Sequence, residues 1–138
     1  NNIDIESKNA VIELKKLNNV EFVGLIDRKK VFTFLSNATC LLNTSRYEGF
    51  SNTFLEAFST NTPVITTKKI DPDNIISNNK LGFIAEENED LIHLLSEYHH
   101  NKLDFKLLNS RSYLEKKHLP EVLAKKVSLI LEKIWNDK

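Results

Sequence analysis

The chain has 138 residues, a formal net charge of zero and a pI near 7.1, a size that fits one domain. The neutral balance gives no general electrostatic reason to expect nucleic acid or an acidic membrane as partner. No apolar run approaches the ~20 residues that span a bilayer. The single cysteine, Cys40, excludes an internal disulfide, and no Cys/His group has metal-ligand spacing. A hydrophobic fraction of 41% supplies one sizeable core. A lone Cys in an apolar run reads as a small core residue in a reducing, cytoplasmic setting. The start, Asn1-Asn2-Ile3-Asp4, lacks the basic and apolar regions of a signal peptide. With no Met at position 1, the chain is expected to begin inside a longer protein.

The elements follow in close order, with three Gly and three Pro in all. Glu6 to Leu17 carries Ala10, Leu14 and Leu17 at helical spacing. Val20 to Val23 is short and β-rich and ends at Gly24, which predicts a strand. Arg28 to Asn37 predicts a second helix with Val31, Phe34 and Leu35 on one face. Cys40-Leu41-Leu42 reads as a buried strand. Asn52 to Thr60 reads as a helix with Phe54, Ala57 and Phe58 inward. Pro63 to Thr66 is a third strand, with its Pro allowed at the first position. A short helix around Asp73 to Ser77 and a strand at Gly82-Phe83-Ile84 come next. Three helices finish the chain: Glu89 to Tyr98, Phe105 to Lys117, and Glu121 to Asn136. Pro120 falls where a first-turn proline is tolerated. This alternation predicts an α/β fold, a Rossmann-like parallel sheet flanked by helices, with a helical C-terminus. Ligands of such sheets bind outside the strand C-terminal ends. The loops to examine are therefore Gly24 to Asp27, Asn43 to Ser51, and Thr66 to Asp73.

The middle loop carries the most information. It joins a buried strand to a helix opening on Ser51, Asn52 and Thr53, residue types that cap helices well. The first backbone N–H groups of that helix suit a phosphate. Two carboxylates bracket them, Glu48 and Glu56, with seven residues between. A carboxylate accepts hydrogen bonds from two adjacent hydroxyls, as a sugar diol presents. One on each side of a phosphate cradle fits a molecule with a ribose at one end and a sugar at the other. Spacing alone also allows a plainer reading. Thr53-x-x-Glu56 matches a capping box, and Glu48 by itself reads as a solvated loop acid.

The longer string Glu-Gly-Phe-Ser-Asn-Thr-Phe-Leu-Glu-Ala, from Glu48 to Ala57, resembles the E-x7-E signature of retaining group 1 glycosyltransferases with the GT-B fold. The surroundings are similar too. Asn19 to Gly24 looks like the family's strand ending in Gly, and Phe34 to Ala38 like the helix before the next strand. Thr62 to Thr66 looks like the strand after the signature helix, and Leu81 to Ile84 like a later family segment. The resemblance runs from about Glu6 to the C-terminus. It implies one lobe of a GT-B fold, a single nucleotide-sugar-binding domain over residues 1–138, with its first strand, basic pair and acceptor lobe absent. It implies sugar transfer, of hexosyltransferase type, from a nucleoside diphosphate to an acceptor hydroxyl with retention.

By the same resemblance Glu56 holds the donor ribose, and Glu48, the catalytic candidate, contacts the transferred sugar. Phe50, Ser51, Asn52 and Thr53 offer backbone amides to the sugar and diphosphate. Gly24, Leu25 and Ile26 lie beside the base, although Leu25 and Ile26 read equally as packing residues. Phe50, Phe54 and Phe58 read as core. The lobe's share of catalysis would be electrostatic support of the leaving diphosphate and positioning of the donor. The resemblance implies no metal and no cofactor beyond the nucleotide-sugar substrate. The partners implied are the donor and the acceptor lobe of the same protein. The fragment alone is expected to turn over little or nothing.

The family's Gly-rich segment after the third strand is replaced here by Lys68-Lys69-Ile70-Asp71-Pro72-Asp73. The lysines approach the diphosphate or form a solvated turn. In the last helix Leu123, Val127, Ile130, Leu131, Ile134 and Trp135 form a broad apolar set. It packs on its own lobe or toward the partner lobe, and self-association is expected if it is bare. Asn, Lys and Ile richness suggests a bacterial source and surface polysaccharide synthesis, with membrane association of the full protein left open. The competing classes are a non-catalytic nucleotide-sugar-binding module, a sugar-nucleotide 2-epimerase on the same fold, and a flavodoxin-like signalling domain. The last needs an early acidic cluster after a strand, which Asp4 and Glu6 do not provide.

Overall fold

Three short parallel strands form the sheet, in the order β1 (Leu41–Leu42), β2 (Val64–Thr67), β3 (Gly82–Ala85). The coordinates are a computed structural model that describes residues 5–45, 47–49, 51–100 and 109–136. Leu41 pairs with Val64, and Val64 in turn with Gly82, so all three strands end along one edge. Helix α1 (Ile5–Leu14) comes first, followed by α2 (Arg28–Asn37) ahead of β1. α3 (Asn52–Ser59) connects β1 to β2, and α4 (Ile75–Asn79) connects β2 to β3. α5 (Asn88–His99), α6 (Ser110–Lys117) and α7 (Pro120–Asn136) complete the chain. This is the Rossmann-like α/β arrangement with a helical C-terminus that the element pattern predicts.

The strand period of two sends successive β2 side chains to opposite faces. Val64 enters a core with Leu35, Phe54, Ala57, Phe58, Ile70, Ile76 and Leu81. Its neighbour Ile65 joins Ala85 and Leu91 on the other face, where half-buried Cys40 packs. Burial pushes the Cys40 thiol above its ordinary range, as a small core residue requires. Phe54 and Phe58 are fully buried, as expected of core residues. Tyr113 of α6 meets Phe58 edge-on at 6.0 Å, a favoured ring geometry. Asn61, just past α3, accepts from the Arg111 backbone N–H at 3.3 Å and so ties α3 to α6.

Several expectations are corrected. Val20 to Val23 is not a strand and has no ladder partner among the described residues. β-branched and aromatic residues favour a pleated, half-buried surface. Here Phe22 and Val23 lie half-exposed, and Lys15 Nζ stands over the Phe22 ring at 5.7 Å. Phe34 is 50% exposed, because the buried face of α2 runs through Leu35 and half-buried Val31 and leaves Phe34 at its margin. The predicted helix from Phe105 begins outside the described residues, and α6 is seen from Ser110. α7 buries none of its residues; Leu123, Val127, Ile130, Leu131, Ile134 and Trp135 are all exposed.

The β2–β3 crossover depends on one buried acid. Asp71 Oδ1 accepts from the Ile76 N–H at 2.8 Å, and its Oδ2 accepts from the Ser77 N–H at 3.1 Å and the Ser77 hydroxyl at 2.6 Å. These bonds satisfy the opening donors of α4, which a five-residue helix cannot pair within itself. Asp71→Ala is expected to lower stability by about 2 kcal/mol, since it removes a cap and strands buried N–H groups. A urea melt checks this. A midpoint equal to that of the parent would mean that α4 forms without the cap.

Candidate functional site

The site grows from the end of β1. Asn43 continues the ladder, its N–H donating to the Ile65 carbonyl at 2.9 Å. Its carbonyl accepts from the Thr66 hydroxyl at 3.1 Å. Its side chain then organises the loop. Oδ1 accepts from the Ser45 N–H at 2.8 Å, the local turn that Asn favours, and Nδ2 donates to Glu48 Oε2 at 2.9 Å. Glu48 is therefore anchored to the sheet edge although it is exposed. Hydrogen bonds from Asn43 and then Ser51 hold its carboxyl below the ordinary value of 4.5, with Ser45 adding to them and slight burial opposing.

The depressed value fixes the sign of a pH effect. The ionised Glu48 contacts are fully present above pH 4.5 and are lost as pH falls through the lower folded value. A carbon-detected NMR titration is expected to place the Glu48 midpoint below 4.5, and Asn43→Ala to move it back toward 4.5. A midpoint unmoved by Asn43→Ala would show that Asn43 does not hold the carboxylate.

Ser51 is the residue that sets the site apart. It is buried and occupies the N-cap of α3, yet its hydroxyl makes no capping bond. It contributes instead to lowering the Glu48 carboxyl pKa. The opening N–H groups of α3, at Asn52 and Thr53, thus lack a side-chain cap from Ser51. They carry the partial positive charge of a helix start. The N-cap also decides the reading of Glu56. A capping box would need Thr53 at the cap, but helix α3 already begins at Asn52. Glu56 lies fifth in the helix, beyond the reach of that motif.

The two carboxylates open on different hollows. Glu56 lines one of about 590 Å³ with Arg28, Phe32, Asn52, Leu55, Ser59 and Leu114. Glu48 lines another of about 620 Å³ with Tyr47, Gly49 and Lys69. Lys69 Nζ also pairs with Glu87 at 3.0 Å, and Lys68 Nζ with Glu86 at 3.0 Å. The Glu87 carboxylate raises the Lys69 ammonium above its usual range. Both lysines are exposed and tied to acids, but Lys69 still borders the Glu48 hollow.

The remaining candidates fare unequally. Phe50 lies outside the described residues. Gly24 adopts a left-handed φ of 63°, which glycine tolerates without a Cβ penalty. Leu25 is fully exposed, so its packing reading fails, and Ile26 is half-buried. None of these three lines either hollow. Their loop bears on the site through Asp27 and Arg28, the next two residues. Asp27 caps α2 by accepting from the Lys30 N–H at 3.0 Å. That places Arg28 Nε 3.3 Å from Glu56 Oε1. Arg28 and Asn43 escaped the sequence reading. Asn43 was legible as an Asn at a strand end followed by Ser45. Arg28 carried no signal, since its role depends on α2 packing against α3.

Comparison with known proteins agrees with this layout. The family described as glycosyl transferases group 1 matches residues 6–118, which takes in both carboxylates and every strand. An uncharacterized glycosyltransferase of Methanocaldococcus jannaschii is 44% identical over 68 residues, 46% of this chain and 16% of that protein. A viral protein named as a glycosyltransferase (isolate Australia/Victoria) is 26% identical over 120 residues, 86% of this chain and 36% of that protein. The chain thus spans well under half the length of these relatives. No solved structure matched it significantly. No helix among the described residues is long and apolar enough to cross a membrane. With the family match extending over most of the chain and the loop geometry falling inside it, the chain belongs to the group 1 glycosyl transferases.

Proposed function

We propose that this chain is the donor-binding lobe of a retaining glycosyltransferase with the GT-B fold, and that Glu48 and Glu56 form its E-x7-E pair. The ribose of a nucleoside diphosphate sugar sits on Glu56, the diphosphate on the opening amides of α3, and the transferred sugar beside Glu48. The observation that carries this reading is the start of α3. The Ser51 hydroxyl makes no cap bond to the helix amides, and Glu56 pairs across to α2 instead of closing a capping box. An anion therefore meets a helix N-terminus that its own N-cap side chain does not block, with an acceptor carboxylate on each hollow beside it.

In the transfer, the bond between the anomeric carbon and the diphosphate oxygen breaks. A bond from that carbon to an acceptor oxygen forms, the departing diphosphate oxygen keeps the electron pair of the broken bond, and the acceptor proton passes to it. The α3 amides act on the leaving diphosphate as its charge grows. The acceptor surface and further basic groups belong to the rest of the protein, in keeping with relatives far longer than this chain. Synthesis of a glycan or surface polysaccharide is the role proposed.

Ligand-detected NMR of the chain with UDP, GDP, ADP and their sugar conjugates tests the reading. One diphosphate is expected to bind, in preference to the matching monophosphate. Absence of binding by all of them at millimolar concentration would overturn the proposed site.

A further inference from the structure

Arg28 is the first residue of α2 and Glu56 the fifth of α3, and they meet only because the two helices pack side by side. The guanidinium is held from two directions. Its Nε stands 3.3 Å from Glu56 Oε1, and its carbon stands 5.4 Å from the centre of the Phe32 ring, one turn further along α2. Arg28, Phe32 and Glu56 line the same 590 Å³ hollow. The Asp27 cap fixes the start of α2 beneath them. The Arg28 side chain is 77% exposed and the Glu56 side chain 21%, so the pair adds little to fold stability. Its placement calls for another explanation.

A planar guanidinium stacked on an aromatic face is orientationally fixed. Such a group constrains the carboxylate it touches. Glu56 has two oxygens and about four acceptor positions, and Arg28 engages Oε1. No second side-chain partner of the Glu56 carboxylate is found among the described residues. Among the described residues, then, the Oε2 edge is left to donors entering the hollow.

We infer that Arg28 is a positioning residue for the nucleoside end of the donor: braced on Phe32, it holds the Glu56 carboxylate turned so that Oε2 accepts from the ribose hydroxyls. Arg28 thereby sets the preference for a ribose over a deoxyribose without touching the sugar. This inference rests on the donor-lobe reading of Glu56.

The test compares binding of UDP, GDP and ADP with binding of their 2′-deoxy counterparts to the full chain. A charge-assisted hydrogen bond to the missing hydroxyl predicts a ribose preference of roughly tenfold or more. Arg28→Ala is expected to cut that preference about fivefold, and Arg28→Lys, which keeps the charge but not the planar stacked group, to lose most of it as well. In a Glu56→Gln background, Arg28→Ala is expected to change the preference no further, because the two act as one unit. Melting curves of the variants confirm that each is folded. A ribose preference unchanged or increased by Arg28→Ala would overturn the role of Arg28 while leaving Glu56 as the ribose ligand. Failure of the parent chain to bind any of the diphosphates, or to prefer ribose, would overturn the Glu56 reading and this inference with it.

Discussion

Glu56→Ala is expected to weaken binding of the preferred nucleoside diphosphate about 10- to 100-fold while leaving the fold intact. The magnitude follows from losing an ionised acceptor, whose hydrogen bonds contribute about 1.5–3 kcal/mol, at tenfold per 1.4 kcal/mol. The expectation of an intact fold follows from position. Glu56 is not the cap of α3, and among the described residues its ion pair is to a mostly exposed Arg28, which contributes at most about 1 kcal/mol. A capping residue would show the opposite pattern, about 1 kcal/mol of lost stability and unchanged nucleotide affinity. Titration calorimetry and a urea melt on the same two proteins separate the outcomes. An affinity change under about twofold would remove Glu56 from the site.

Gly82→Ala is expected to have the largest effect on folding. A Cβ at residue 82 would lie 1.7 Å from the Val64 carbonyl oxygen, 2.6 Å from its carbon and 2.7 Å from its nitrogen. Those atoms belong to the central strand. Val64 is paired with Leu41 on one side and Gly82 on the other, so it has no direction in which to retreat. Relief requires β2 and β3 to separate at the start of their ladder, where the Val64 N–H donates to the Leu81 carbonyl at 3.1 Å. The cost is about 3 kcal/mol or more, a large share of the roughly 5–15 kcal/mol that holds a domain folded. Circular dichroism on heating should show a strongly lowered midpoint or an unfolded chain. A midpoint equal to the parent's would mean that the strands do not approach so closely here.

The sequence by itself determined the order of elements and their sides. Periodicity found α2, α3, α5 and α7 to within a residue or two, because apolar residues at helical spacing gather on one helix face, even in α7, which buries none of them. The apolar runs at Leu41, Val64 and Gly82 became the strands, although the first is not buried as expected, Leu42 being exposed, and Glu48, Ser51 and Asn52 fell on the loop and helix start that the motif implied. What only the tertiary structure decided was everything that depends on a neighbour remote in the chain. Val20 to Val23 had the composition of a strand but found no partner for its backbone groups, and a strand exists only as part of a ladder. Leu25 could not be told from a packing residue until its surroundings were known. The capping-box reading of Glu56 could be set aside only when the cap was located at Ser51. Arg28 met Glu56 only when α2 came to rest against α3. Local propensity and period are written in neighbouring residues. Contacts between helices, and the charges they bring together, are settled by packing, which no short window of sequence contains.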